Sequence, residues 1–64
     1  MLLALDMGNT NITLGLYDGA RLLLQSRMAT DRKKLVDQYA VELMDILRLY
    51  RVEAAAIDGA ILSS

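Results

Sequence analysis

The sequence predicts an α/β fold in which three antiparallel strands precede one helix and a final strand. Two extended apolar stretches lie on either side of a polar turn near the N-terminus, and a third follows Asp18-Gly19, a pair suited to a two-residue hairpin. From Leu35 onward, apolar residues recur every three or four positions, as on one face of a helix. Because a crossover through a helix normally returns a parallel strand, we expect the last strand to run parallel to the first.

The first strand is predicted at Leu2 to Leu5, a continuous apolar run before Asp6 that is typical of a strand covered on both faces. The second is predicted from Ile12 to Tyr17, where apolar side chains alternate with small or polar ones. The third, Arg21 to Met28, continues an extended Leu-rich pattern after the hairpin. These are three of the four strands of the predicted sheet.

The helix is predicted to follow Thr30 or Asp31, either of which can cap a helix. Its apolar face is Val36, Tyr39, Leu43, Ile46, Leu47 and Tyr50, and its polar face is Gln38, Glu42, Asp45 and Arg48. The last strand is predicted at Ile57 to Leu62. If it runs parallel to the first strand, Ser63 and Ser64 lie near Asp6.

Composition favours a small-molecule partner and a single, partial domain. Sixty-four residues, 55% of them hydrophobic, have the composition of a core but no cysteine to stabilise it, so we expect them to belong to a longer polypeptide. A net charge of -1 offers no attraction for nucleic acid or an anionic membrane. No stretch has the length of a signal peptide or membrane span, which makes the cytoplasm the expected compartment.

The polar turn Asp6-Met7-Gly8-Asn9-Thr10-Asn11 has the residues of a phosphate-binding loop. Asp6, at the end of a strand, can hold magnesium through water. Gly8 has no Cβ to keep a phosphate away and permits positive φ, which the two asparagines also tolerate. Thr10 adds a hydroxyl, and successive backbone amides bind anions. The simpler alternative is an ordinary hairpin turn, but an Asp followed by four small or polar residues within this run favours phosphate binding.

Four segments of the chain carry a family resemblance: Asp6-Met7-Gly8-Asn9-Thr10-Asn11, Leu14-Gly15-Leu16-Tyr17-Asp18-Gly19, Thr30-Asp31-Arg32-Lys33 and Gly59-Ala60-Ile61-Leu62-Ser63-Ser64. Together they resemble type III pantothenate kinases. The Asp-x-Gly-x-Thr core alone is shared with actin, Hsp70 chaperones and sugar kinases. The Asn-Thr-Asn form and the later segments narrow the resemblance to this family.

The resemblance implies a ribonuclease H-like, actin-like ATPase fold, with residues 1–64 as a partial N-terminal nucleotide-binding lobe. It implies phosphorylation of pantothenate by ATP, the first step of coenzyme A synthesis, with magnesium, a monovalent cation (potassium or ammonium) and a homodimer. The stretch that matches the family's ATP-binding segment is Asp6, Met7, Gly8, Asn9, Thr10, Asn11, Ile12 and Thr13, and Asp6 is the candidate magnesium ligand. The catalytic-base aspartate and the pantothenate and cation ligands are expected beyond residue 64, so residues 1–64 alone are expected to be inactive.

Two alternatives remain open: another sugar-kinase-like phosphotransferase that shares Asp6 and Gly8, and a nonenzymatic regulatory or binding protein. The basic run Arg32-Lys33-Lys34 is expected to be solvated surface rather than a phosphate site. Tyr17 and Tyr39 are expected to be packing residues.

Overall fold

The computed structural model describes residues 1–64. Its elements are β1 (Leu2–Met7), β2 (Asn11–Asp18), β3 (Arg21–Ala29), α1 (Val36–Leu49), a short 3-10 helix (Ala54–Ala56) and β4 (Gly59–Ser63). The strands form one sheet in the order β3-β2-β1-β4, in which β1 is antiparallel to β2 and parallel to β4. The α/β class and the parallel last strand are therefore confirmed.

One face of the sheet, here called the core face, packs against α1. Its buried side chains are Leu3, Ile12, Leu14, Leu16, Leu24 and Met28, and α1 lays Tyr39, Leu43 and Ile46 against them. The central strand β2 supplies three of the six through its alternating pattern, as the sequence predicted. The core thus depends on a single helix lying over one face.

The opposite face, here called the far face, has no helix over it. Leu2 on β1 is 37% exposed, and Leu22 and Ile61 on the edge strands β3 and β4 are exposed as well. The prediction that β1 is covered on both faces is therefore wrong within residues 1–64, because Leu2 on its far face is exposed. One helix can cover only one side of a four-stranded sheet, so alternate side chains of β1 remain in contact with solvent.

The hairpin between β2 and β3 turns one residue later than predicted. Asp18 pairs with Arg21, which leaves Gly19 and Ala20 as the two central residues. Gly19 has a φ of 61° and Ala20 has no positive φ, as in a type II′ turn, whose first central position favours glycine. A bulge follows, because Tyr17 pairs with Leu22 while Leu16 pairs with Leu24.

Helix α1 begins several residues after the predicted caps. The chain first makes a turn in which the N–H of Lys33 donates to the Asp31 carboxylate at 2.9 Å. Leu35 is the capping residue, and its N–H donates to Oε1 of Gln38 at 2.6 Å. The prediction of a cap at Thr30 or Asp31 is wrong because Asp31 bonds its own turn.

The ends of the predicted apolar face are also exposed. Val36 is 83% exposed and Tyr50 is 48% exposed, whereas Leu47 is buried. Glu42 is half-buried instead of lying on a fully solvated polar face. The core contacts of α1 thus come from its middle turns. No helix in the chain combines the length and the apolar character that crossing a membrane requires.

Candidate functional site

The loop between β1 and β2 is closed by its own backbone. The N–H of Gly8 donates to the carbonyl oxygen of Asn11 at 2.9 Å. A Cβ built on Gly8 would lie 2.9 Å from that same oxygen, closer than real Cβ atoms approach. No loop residue has positive φ, so the left-handed turn expected at Gly8 and the asparagines is wrong. Glycine is needed here for close approach rather than for backbone conformation.

Two consecutive amides of this loop are free. The backbone N–H groups of Asn9 and Thr10 donate to no other group of the chain, and both residues are exposed. The side-chain amide of Asn11 donates to Oγ1 of Thr10 at 3.2 Å. Adjacent unpaired N–H groups in a turn attract an anion. The loop therefore has the donors that the phosphate-binding prediction requires.

Three polar side chains lie side by side at the end of the sheet, on its far face. Asp6 on β1 pairs in register with Thr13 on β2 and with Ser63 on β4. Ser63 Oγ donates to Asp6 Oδ1 at 3.2 Å, which confirms the predicted approach of Ser63 to Asp6. Ser64 makes no hydrogen bond with this far-face row of Thr13, Asp6 and Ser63. The row borders an open groove of about 240 Å³.

The remaining two residues of the predicted ATP segment face α1. Met7 and Ile12 are paired in register, and both line an apolar groove of about 270 Å³ beneath the helix. Ile12 is only 4% exposed and belongs to the core. A nucleotide on the far face would meet only the backbone of these two residues. The strand residues of the predicted segment thus alternate between the far face, with Asp6 and Thr13, and the core face, with Met7 and Ile12.

Asp6 is not part of a cluster of metal-ligating side chains. No group of three His, Cys, Asp or Glu side chains lies close enough together to hold a metal ion. Magnesium commonly takes one or two carboxylates, several waters and the phosphate oxygens of a nucleotide. The single exposed carboxylate of Asp6, close to a loop with two free amides, fits that pattern.

A segment outside the predicted site holds the loop. Thr30 Oγ1 donates to the carbonyl oxygen of Gly8 at 2.9 Å, and the Thr30 N–H donates to that of Thr10 at 3.0 Å. The Tyr39 hydroxyl accepts from the N–H of Asp31 and donates to its carbonyl oxygen, both at 2.7 Å. The sequence predicted Thr30 only as a possible helix cap and Tyr39 only as a packing residue. The β2–β3 hairpin nevertheless brings the end of β3, and with it Thr30, beside the start of β2.

In the basic run Arg32-Lys33-Lys34, only Lys34 forms an ion pair. Lys34 Nζ lies 2.5 Å from Glu42 Oε2 and 4.9 Å from the centroid of the Tyr39 ring. The hydrogen bond to Glu42 raises the pKa of Lys34 above its ordinary value. Arg32 and Lys33 are exposed and form no ion pair. Lys34 is thus occupied in anchoring the start of α1.

A sequence model of the family described as type III pantothenate kinase matches residues 2–64. The chain belongs to the type III pantothenate kinase family. It is similar to proteins named type III pantothenate kinase from Geobacter sulfurreducens, at 42% identity, and Geotalea daltonii, at 41% identity, over all 64 residues. Each alignment covers 25% of the relative, so the chain spans a quarter of the length of these curated relatives.

This membership confirms the resemblance drawn from the four segments, and the observed sheet agrees with a part of an actin-like ATPase fold. The match includes the loop, the far-face row and the segment at Thr30. The roles of single residues in binding ATP or magnesium stay predictions that rest on the geometry described above.

Proposed function

We propose that the protein containing this chain transfers a phosphoryl group from ATP to pantothenate, giving 4′-phosphopantothenate, the first step of coenzyme A synthesis. Residues 1–64 would form part of its nucleotide-binding lobe. The observation that carries the proposal is an exposed carboxylate, Asp6, which is the second-last residue of β1 and is followed after Met7 by a loop with two free amides. Membership of the type III pantothenate kinase family supports the reaction and its substrates.

Each part of the loop has a role in this proposal. The N–H groups of Asn9 and Thr10 donate to phosphate oxygens, and Gly8 keeps the backbone open to them. Asp6 holds magnesium through water, with the Thr13 hydroxyl beside it as a further polar contact. When bound, magnesium neutralises charge on the transferred phosphate. Met7, Asn11 and Ile12 complete the segment through their backbone and the closure of the loop.

Phosphoryl transfer also needs groups on the acceptor side of the phosphate. We place the catalytic-base aspartate, the pantothenate pocket and the ligands of potassium or ammonium outside residues 1–64. The greater length of the relatives supports this division. The isolated residues 1–64 would then bind phosphate weakly and transfer none.

The assembly and location rest on family membership. We propose a homodimer that acts in the cytoplasm on ATP and pantothenate. The formal charge of -1 supports small-molecule substrates over nucleic acid or a membrane surface.

The test compares Asp6→Asn with wild type in the intact protein. The amide oxygen of Asn still accepts the hydrogen bond from Ser63, so the substitution removes charge and little else. We expect kcat/KM for ATP to fall about 100-fold, equivalent to about 2.7 kcal/mol. Asp18→Asn is the matched control, because Asp18 is an exposed carboxylate at the opposite end of the sheet; its kcat/KM is expected to stay within about twofold of wild type.

One outcome would refute the loop assignment, and two others would each favour one of the alternative functions. Unchanged affinity and turnover in Asp6→Asn would refute the assignment of the phosphate loop. ATP turnover with another alcohol but not with pantothenate would favour a different sugar-kinase-like phosphotransferase. Nucleotide binding without any phosphoryl transfer in the intact protein would favour a nonenzymatic binding protein.

A further inference from the structure

We propose that Thr30 is a positioning residue that aims the free amides of the β1–β2 loop at the nucleotide, and that Tyr39 holds Thr30 in place. The identity of the ligand rests on the proposed function. Neither residue belongs to the predicted ATP segment, and neither is placed in contact with ATP. Both act through hydrogen bonds to the backbone.

The hydroxyl of Thr30 fixes one peptide plane of the loop. It donates to the Gly8 carbonyl oxygen at 2.9 Å. That carbonyl and the N–H of Asn9 belong to the same planar trans peptide and point in opposite directions. Holding the Gly8 carbonyl toward Thr30 therefore turns the Asn9 N–H away from Thr30, where it remains free.

The backbone of Thr30 fixes a second point on the loop. Its N–H donates to the Thr10 carbonyl oxygen at 3.0 Å, so Thr30 holds carbonyls on both sides of Asn9. Any residue except proline can provide this backbone bond. The bond from the hydroxyl requires Thr or Ser, and it is the one that a substitution can remove selectively.

Tyr39 connects this arrangement to the core. Its ring packs against the buried cluster from α1, and its hydroxyl bonds both the N–H and the carbonyl of Asp31 at 2.7 Å. Asp31 directly follows Thr30, so the segment that holds the loop is itself attached to the helix. The loop thus acquires a fixed shape although its own residues are exposed.

The first experiment measures kinetics in the intact protein. Thr30→Val removes the hydroxyl at nearly constant shape, and we expect the KM for ATP to rise about tenfold, the upper range for one hydrogen bond. The KM for pantothenate is expected to stay unchanged. Thr30→Ser keeps a hydroxyl and is expected to restore the KM for ATP to within about threefold of wild type.

The same comparison applies to Tyr39. Tyr39→Phe removes only the phenol oxygen, and we expect a rise of about threefold in the KM for ATP. Tyr50→Phe is its control, since Tyr50 is exposed at the far end of α1 and its hydroxyl makes no hydrogen bond. Equal effects of the two Phe variants would overturn the role of Tyr39.

The second experiment needs no nucleotide. In ¹⁵N relaxation measurements on the intact protein, Thr30→Val is expected to lower the order parameters of Asn9 and Thr10 from about 0.85 to below about 0.6, while Thr30→Ser leaves them high. Unchanged order parameters together with an unchanged KM for ATP would overturn the proposal, as would an equal rise in KM for both substrates. A wild-type protein that binds no ATP would instead overturn the proposed function, and the order parameters would still decide whether Thr30 shapes the loop.

Discussion

Replacing Gly8 with alanine tests whether the close approach inside the loop is essential. The new Cβ would lie 2.9 Å from the Asn11 carbonyl oxygen, which is backbone and has no rotamer to change. To reach ordinary contact, the oxygen must move away by about 0.5 Å. The same oxygen accepts the hydrogen bond from the Gly8 N–H at 2.9 Å. The same movement takes the oxygen away from the Gly8 nitrogen, so that bond would lengthen to about 3.2 Å or more, at the limit of the usual range for N–H···O.

These two effects determine the free energy needed to hold the loop of Gly8→Ala in its observed shape. Loss of one hydrogen bond in an exposed loop costs about 0.5–1.5 kcal/mol, and overpacking against backbone raises the total to about 1–3 kcal/mol. Because the Gly8 carbonyl is also the acceptor for Thr30, the distortion reaches the Asn9 amide. We therefore expect the dissociation constant for ATP to rise by about tenfold or more, with a smaller effect on the unfolding midpoint.

The assay is ATP titration of the intact protein, together with denaturant unfolding of the same samples. Gly59→Ala is the matched control, because its Cβ would meet only Leu2 Cδ1, at the ordinary distance of 3.7 Å. Its ATP affinity is expected to equal that of wild type. Wild-type affinity in Gly8→Ala would refute the argument, since the loop would then be able to relax without losing its shape.

Two further predictions concern stability. Arg51 follows the helix with a left-handed φ of 60°, and Val52 N–H bonds Leu47 O at 2.8 Å, as in a Schellman motif. Arg51→Gly is therefore expected to raise the free energy of unfolding by about 0.5–1 kcal/mol, and an unchanged denaturation midpoint would contradict this. The hydrogen bond from the N-terminal ammonium lowers the pKa of Asp58. The ionised Asp58 therefore stabilises the fold above its ordinary pKa, and this stabilisation is lost as the pH falls through the lowered pKa. The difference in unfolding free energy between wild type and Asp58→Asn is expected to shrink as the pH falls below 3.8, the ordinary pKa of this carboxyl, and a constant difference would exclude the ion pair as its cause.

The sheet was predictable because period-two patterning is a local signal. In β2 the alternation from Ile12 to Tyr17 identified both the strand and its apolar face, and the side chains of that face, Ile12, Leu14 and Leu16, are buried. The parallel pairing of β4 followed from the handedness and length of a helical crossover. From that pairing alone, Ser63 could be placed beside Asp6. Element type and order therefore came from patterns within the sequence.

The contact between Thr30 and the loop could not be derived in this way. If the β2–β3 ladder is counted from the Asp18–Arg21 pair without interruption, Thr10 lies opposite Ala29. The bulge on β3, which lies opposite Leu16 and Tyr17, shifts the register by one residue. It therefore brings Thr30 beside Thr10 instead. No glycine or proline marks the bulged residue, Leu23. The register depends on which leucines the helix buries, which is a tertiary effect.

The start of α1 was missed for a related reason. Thr30 and Asp31 have side chains that cap helices well, but the same oxygens can bond other backbone groups nearby. Here Thr30 bonds Gly8 and Asp31 bonds Lys33. Propensity identifies residues that satisfy free backbone groups, but the tertiary fold decides which groups those are.

The position of Asp6 within β1 determines the face of the sheet on which its carboxylate lies. Side chains alternate along a strand, and Leu3 and Leu5 pack on the core face beneath α1. Asp6 must therefore face the far side, in line with Thr13 and Ser63. A carboxylate one residue earlier would lie in the apolar core, where burying an unpaired charge is strongly unfavourable. The pattern that builds the core thus leaves the candidate magnesium ligand on the open face.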